Sequence, residues 1–326
     1  MAANLGHDGG HFAVCRNAFI NDLAVWGMGI ISNPIIWQHQ HTYAHHSHTN
    51  DEAHDPDLHH FRGLIQLRKG VKATETFLAQ TSKTTSNNRV LGTFLSWIKK
   101  KFKALPEDVN DPIVKDSVIK KNQSSVWFIL FIYTEIAMAM CVWFPSRFIM
   151  DRSLHGVVGW SDRKRWFRTF CLYAHYILYT SIIMVLPFCI HDSSLYALAC
   201  VLSHMFTSSL LFGVATQVGH ITEITISETS IDEARSKRHP IAQASWAAEQ
   251  VVTTNDFCPQ NIFVFLPFGG LGLQIEHHLF PGLNHCHLMK IQPIVEATCK
   301  EFNVSYSKYE TYLEALNDTI KYLQGV

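Results

Sequence analysis

The chain has 326 residues, 47% of them hydrophobic and 17% charged, with a formal net charge of zero. That balance leaves no basic excess for a nucleic-acid partner, and the length allows one large domain or two. The eight cysteines include no Cys-x-x-Cys pair. Cys141, Cys171, Cys189 and Cys200 fall in apolar runs, where cysteine acts as a small hydrophobe, so no disulfide framework is predicted.

In chain order, six residues precede His7-Asp8-Gly9-Gly10-His11, a His-x3-His pair. Residues 23–37 are apolar, broken by Gly27, Gly29 and Pro34. This run is short of the roughly 20 residues a spanning helix needs. A second histidine cluster follows, His41-Thr42-Tyr43-Ala44-His45-His46. On a helix, imidazoles at i and i+4 converge on one metal ion. Both clusters must reach one site, so 23–37 is read as an interfacial or re-entrant piece. His39 and His48 flank the second cluster outside its spacing, and His54, His59 and His60 are surplus to it.

Residues 51–125 are polar, with a Ser/Thr/Asn-rich loop from Gln80 to Arg89 and a basic run of Lys99, Lys100, Lys101 and Lys103. Such a run reads as a solvated face on the cytoplasmic side.

Three long apolar runs come next, at about 126–144, 170–190 and 195–219. Ligands before and after them must meet, so an even number can cross. Basic residues mark the cytoplasmic side of a span. Lys115, Lys120 and Lys121 precede the first run, and Arg147, Arg152, Arg163, Lys164, Arg165 and Arg168 follow it. That run also carries Glu135, which is costly at mid-bilayer. It is therefore predicted to be embedded without crossing. The link His191-Asp192-Ser193-Ser194 carries no lysine or arginine and reads as the outside turn of a spanning hairpin. Arg235, Lys237 and Arg238 return the chain to the cytoplasmic side. His175 and His204 lie within the spans, about 26 and 17 Å from that turn. They are read as packing residues that do not pair directly.

The third cluster is Gln274-Ile275-Glu276-His277-His278, followed by Leu279-Phe280-Pro281. In a helix, Gln274 and His278 share a face. His277 and His278 point about 100° apart, so each can serve a different ion. Seven histidines are too many for one tetrahedral site and suit two ions with open positions. Imidazole spacing alone does not choose the metal. Asp8, Asp51, Asp55, Asp57 and Glu276 are candidates to hold the outer imidazole nitrogens. Near the C-terminus, Tyr309, Tyr312, Leu313, Leu316, Ile320 and Leu323 recur at helical spacing, predicting a helix packed on the cytoplasmic part.

The three clusters in this order, His-Asp-x-x-His, His-x3-His-His and Gln-Ile-Glu-His-His-Leu-Phe-Pro, resemble the histidine boxes of the membrane fatty acid desaturases. Glutamine at the start of the third box resembles the front-end branch. His46-Ser47-His48-Thr49-Asn50 with Asp55-Pro56-Asp57 resembles the stretch after the family's second box. The resemblance covers the chain from residue 7 onward.

It implies an all-α integral membrane protein with a cytoplasmic, histidine-rich di-metal cap, one desaturase domain over residues 1–326. It implies two iron ions, dioxygen as co-substrate, and removal of two hydrogens from adjacent acyl carbons. Its ligand positions fall on His7, His11, His41, His45, His46, His277 and His278. A further ligand position falls on His220, in Gln217-Val218-Gly219-His220. Gln274 occupies a ligand position in the motif, although glutamine is a poor metal ligand better suited to holding a water or shaping the acyl path. The implied partners are cytochrome b5 and its reductase as electron donors, an acyl-CoA or acyl-lipid substrate, and membrane lipid of the endoplasmic reticulum. The family's first box follows a spanning hairpin, and front-end members carry a cytochrome b5 domain with a His-Pro-Gly-Gly motif. Residues 1–6 hold neither, so the chain reads as N-terminally truncated.

The rival enzymes are a sphingoid-base desaturase or a lipid hydroxylase, and an inactive fragment is a third reading. From another class, a membrane metal transporter would place its ligands near the bilayer midplane, inside spanning helices.

Overall fold

The computed structural model describes residues 2–50, 55, 57, 125–127, 133–134, 136–151, 153–154, 158–159, 166–225 and 245–324. The Gln80–Arg89 loop, the Lys99–Lys103 run, Asp51, His54, His59, His60 and Glu135 lie outside the described residues. So do the topology-setting charges of Lys115, Lys120, Lys121, Arg152, Arg163, Lys164, Arg165, Arg235, Lys237 and Arg238, and the side chain of Arg147.

The described chain is helical almost throughout. Its strands are an antiparallel pair, Ser153–Leu154 with Val158–Gly159, and a parallel pair, Asp256–Phe257 with Lys308–Tyr309. Two helices are long and apolar enough to cross a bilayer, Trp166–Ile190 and Ser194–Gly219. Their 25 and 26 residues correspond to about 38 Å each, against a hydrocarbon core of about 30 Å. The first begins at Trp166, four residues ahead of the expected start. Arg168 does not end it, because the guanidinium donates to Gln38 Oε1 and lies over the Tyr43 ring. At the turn, Ser193 caps the second helix by accepting from Tyr196 N.

Helices Ala18–Ile30 and Pro34–Ser47 meet at 110°. Asn33 makes the corner. Its side-chain oxygen accepts from Ile35 N and Ile36 N, and Pro34 supplies the first helical φ at no cost in hydrogen bonds. Asn33 Nδ2 donates to Leu172 O and lies 3.1 Å from His175 Nδ1. His175 Nε2 in turn reaches Gly29 O at 2.8 Å, so His175 pins the corner to the first spanning helix. Tyr179 stacks on His175, and its hydroxyl lies 3.1 Å from His204 Nε2. The two histidines are thus linked through a tyrosine rather than directly.

His7 rides on helix Ala2–Gly10, and His11 follows directly past its end, its N donating to His7 O at 3.2 Å. Gly6, Gly9 and Gly10 lower the helix's intrinsic propensity, yet it forms because glycine permits backbone-to-backbone packing. A Cβ on Gly9 would lie 2.7 Å from Val25 N, and one on Gly6 would strike the backbone of Gly27 and Met28.

Within the 126–144 run Val126, Trp127 and Tyr133 are helical, and among the described residues the apolar helix Ile136–Ser146 is shorter than a span. It packs against the second spanning helix. Ala137 N donates to Ser209 Oγ at 2.7 Å, and Gly213 leaves room for Ile136 and Tyr133. One core joins this helix to the corner segment and the C-terminus through Met28, Ile36, Trp37, Met140, Phe148 and Tyr322.

The C-terminal helix runs Tyr312–Gln324, three residues later than the predicted stripe. Tyr309 is drawn instead into the strand pair beside Phe257. Tyr312, Leu316, Ile320 and Leu323 pack as the stripe predicts, with Ala315, Thr319 and Tyr322 buried beside them, while Leu313 is 66% exposed.

Candidate metal centre

Eight of the nine ligand positions read from the sequence are histidines, and the fold gathers all of them. The imidazoles of His7, His11, His41 and His277 form one group, and those of His45, His220 and His278 form another; within each, the candidate donor atoms lie within 4.8 Å of one another. His46 sits between the groups. Its Nε2 is 3.1 Å from His277 Nε2 and 3.3 Å from His41 Nε2, and its ring stacks on His278 at 4.1 Å. All of these residues lie outside the two spanning helices, contrary to the arrangement expected of a midplane transport site.

α-Helical spacing led us to expect that His41 and His45 converge on one ion; they do meet beside Asp57 in a third donor group, but each also belongs to a different one of the two all-histidine groups. Residues Gln38–Ala44 form a π-helix, which widens the turn. The two rings stack nearly parallel, with centroids 5.2 Å apart, so His41 joins the first group and His45 the second. His277 and His278, adjacent on helix Gln274–Leu279, also divide between the groups, their rings 86° apart.

Outer contacts fix which ring nitrogen faces inward. His45 Nδ1 donates to Asp55 at 2.9 Å, and Asp55 is itself held by Asn50 N and Asp57 N, each at 2.8 Å. His41 Nδ1 lies 3.3 Å from Asp57 Oδ2. His278 Nδ1 donates to Gln250 Oε1 at 3.0 Å and lies 3.1 Å from Thr49 Oγ1. The inward Nε2 atoms of His11, His45 and His278 are buried without a hydrogen-bond partner, as is Nδ1 of His220. A buried polar atom with no partner costs free energy, and three of these four residues, His45, His220 and His278, form one group. Imidazole–metal bonds of about 2.1 Å meeting at right angles place donors about 3 Å apart. The His7–His41, His41–His46 and His46–His277 separations are of that size. The donor set therefore fits two metal ions.

Charge points the same way. Burial, followed by mutual repulsion among the imidazoles, pushes His11, His277 and His278 well below the ordinary histidine pKa. Burial does the same at His220. These rings are neutral and keep a lone pair for coordination. His45 is the exception. Burial lowers it, but the Asp55 and Asp57 charges outweigh burial and raise it to about 9.

Gln274 lies beside this set. Its Nε2 donates to Leu271 O at 3.1 Å, and its buried Oε1 has no hydrogen-bond partner. Gly219 makes this possible, since a Cβ there would come 2.5 Å from Gln274 Cγ.

Two expectations change. Glu276 supports no imidazole. Its carboxyl pairs with Asp256, and both accept from the Tyr306 hydroxyl, at 2.9 and 2.6 Å. Asp8 does more than flank His7. Its Oδ2 accepts from His285 Nδ1 at 2.6 Å and Asn284 Nδ2 at 2.7 Å. Burial would raise Asp8, but the His285 and His7 contacts outweigh it and hold the carboxyl at about 2. His48 is exposed, and His39 is buried against Tyr43 and Phe148. Gln250, Asn284, His285, Asp256 and Tyr306 were not singled out in the sequence, and Thr49 was named only as part of the stretch after the second box. Only His285, in His285-Cys286-His287 just past the third box, carried a residue-type signal.

The fold and the site define a helical membrane protein built around a buried two-centre histidine cluster. The fatty acid desaturase family profile matches residues 1–144 and 103–310, and the chain belongs to that family. It is 39% identical to an acyl-lipid (8-3)-desaturase of Physcomitrium patens over 152 residues, 46% of this chain and 30% of that protein. It is 23% identical to an sn-1 linoleoyl-lipid 6-desaturase of Arthrospira platensis, over 98% of this chain and 73% of that one. It is 24% identical to a chloroplastic acyl-lipid (7-3)-desaturase of Chlamydomonas reinhardtii, over 100% of this chain and 54% of that one. The chain thus spans part of the length of each of these relatives. No solved structure matches it.

Proposed function

We propose that this protein is a front-end acyl desaturase that inserts a cis double bond into an unsaturated fatty acyl chain held by a lipid or by CoA. The observation that carries the proposal is the set of inward-facing, unpartnered imidazole nitrogens, each ring oriented by a carboxylate, an amide or a neighbouring ring. His7, His11, His41 and His277 are the ligands of one iron ion. His45, His220 and His278 are those of the other, with His46 between them and Gln274 against His220.

An iron pair with dioxygen supplies the oxidising power that an unactivated C–H bond requires, which side-chain acid–base chemistry lacks. Two acyl hydrogens, two electrons and two protons reduce dioxygen to two waters. The electrons come from cytochrome b5 and its reductase. The chain's own residues do the positioning. Asp55, Asp57 and Gln250 fix ring tautomers, burial keeps the other rings neutral, and the apolar helices beneath give the acyl chain a dry place to lie. The site faces the cytoplasm from the endoplasmic reticulum membrane, and the spanning pair crosses once out and once back.

The test is expression in a desaturase-deficient host fed candidate fatty acids, with cytochrome b5 in excess and His277→Ala as the control. New products with the added double bond on the carboxyl side of an existing one support the proposal. Their absence at normal protein abundance and full iron content overturns it.

A further inference from the structure

Between Asp256 and Glu276 the sequence holds 19 residues, 257–275, with no lysine, arginine, histidine or carboxylate. The stretch is as long as a membrane span but does not run straight. It leaves the cap and comes back to the same point. Phe257 N donates to Gly272 O at 2.9 Å, Asp256 bridges to Leu273, and Ile275 N donates to Asp256 Oδ1 at 3.0 Å. The two acids that bound the stretch pair with each other and are fully buried. The charges are thus kept at the base of a closed loop, and the tip has none.

The tip is the helix Ile262–Phe268, whose sequence is Ile-Phe-Val-Phe-Leu-Pro-Phe, and none of its residues is buried. Phe263 is 84% exposed, Leu266 63% and Ile262 46%. Its opposite side packs. Val264 and Phe268 lie against Val218, Phe257 and Tyr312. Val218 ends the second spanning helix, and the Tyr312 hydroxyl donates to Val214 O within it at 2.8 Å. Val214 is five residues, about 8 Å, inside the Gly219 end of that helix. The tip therefore sits level with the last turns of a spanning helix, and its exposed side continues that helix's apolar surface.

Backbone polarity is satisfied there. Asn261 accepts from Phe263 N and Val264 N, and Gly269, in the left-handed region at φ 60°, donates to Phe265 O at 2.7 Å. A capped helix with no charge and an apolar outer side suits lipid, where an unpaired backbone group is costly.

We propose that Ile262–Phe268 is inserted in the bilayer leaflet beside the second spanning helix, with Ile262, Phe263 and Leu266 among acyl chains. It is a membrane element that enters and leaves on one side. It holds the third histidine box, which begins six residues after Phe268, at a fixed depth. The inference rests on the membrane reading of the two spanning helices and not on the desaturase chemistry.

The test is photo-crosslinking of the full chain in native membranes. Benzoylphenylalanine is placed singly at Phe263 and at Leu266. Leu202, on the second spanning helix, is the lipid-facing comparison. Phe302, exposed on the cap between Glu301 and Asn303, is the water-facing one. Mass spectrometry should find lipid adducts at 263 and 266 in yields like those at 202, and none at 302. Adducts at 202 with none at 263 and 266 overturn the proposal, as do protein adducts at 263 that mark a second copy or a partner as the occupant. Absence of lipid adducts at 202 as well would overturn the membrane reading and this inference with it.

Discussion

His285 donates from Nδ1 to Asp8 Oδ2 across 2.6 Å, tying the loop after the third histidine box to the helix that carries the first. The residues are 277 positions apart. Asp8 lies beside His7, so the contact sets the spacing between His7 and His277, whose ring centroids are 4.4 Å apart.

Replacing His285 should therefore weaken metal binding without removing a ligand. Supports of this kind are worth roughly 10–100-fold in metal affinity. His285→Ala is expected to lose affinity within that range in a chelator competition. Cys286→Ala, at an exposed neighbour, should match the parent protein.

Metal uptake should depend on pH through His45. Its pKa is raised to about 9 because the Asp55 and Asp57 charges outweigh burial. Below that pH the ring carries a proton that an incoming ion must displace. Apparent affinity should then climb from neutral pH toward 9, by about tenfold per pH unit for one displaced proton. Asp55→Asn removes the charge that holds the proton and should flatten the slope. An unchanged slope in the variant would show that another group binds the proton.

Gly219→Ala should act on one centre more than on the other. The added Cβ would come 2.5 Å from Gln274 Cγ, and it sits on the residue directly before His220. His220 belongs with His45 and His278. The expected result is a fall in bound iron from two toward one per chain, read by elemental analysis. Equal loss from both centres would contradict the division of ligands.

Two histidines of similar sequence context should behave differently. His277 is buried, with its Nε2 3.1 Å from His46 Nε2, whereas His48 is exposed. His277→Ala should abolish activity and cost bound iron. His48→Ala should stay within the roughly 0.5 kcal/mol typical of surface substitutions and keep its iron. Comparable loss in both would refute the assignment.

The Asp256–Glu276 pair predicts how stability varies with pH. Burial raises both carboxyls, and each further raises or shares the proton of the other. The folded protein therefore holds protons that the unfolded chain would release. Stability from the pair is fully present below the ordinary carboxylate range and is lost as pH rises through the raised values. Above the ordinary histidine range, where the buried neutral rings no longer add their opposite trend, thermal midpoints should fall between about pH 7 and about pH 9, and Glu276→Gln, which needs no proton, should reduce the fall. A midpoint that rises over that interval would contradict the argument.

The sequence by itself determined the three histidine boxes, their order, the nearly all-helical character and the two spanning runs. These are local properties, since residue type and period survive without knowing the fold. It also separated His277 from His278, because neighbours on a helix point about 100° apart. The tertiary structure alone decided which histidines share a centre. The π-helix at Gln38–Ala44 lets His41 and His45 reach different all-histidine groups while both stay beside Asp57, and helical spacing carries no mark of it. It also decided the outer contacts. Gln250, Thr49 and His285 reach the site from distant segments, and Glu276 turned from its neighbouring histidines to Asp256 and Tyr306. Helix Ala2–Gly10 shows the same division. Its glycines read as a weakness in one dimension and serve as a packing surface in three, because only the fold brings Val25–Ile30 against them.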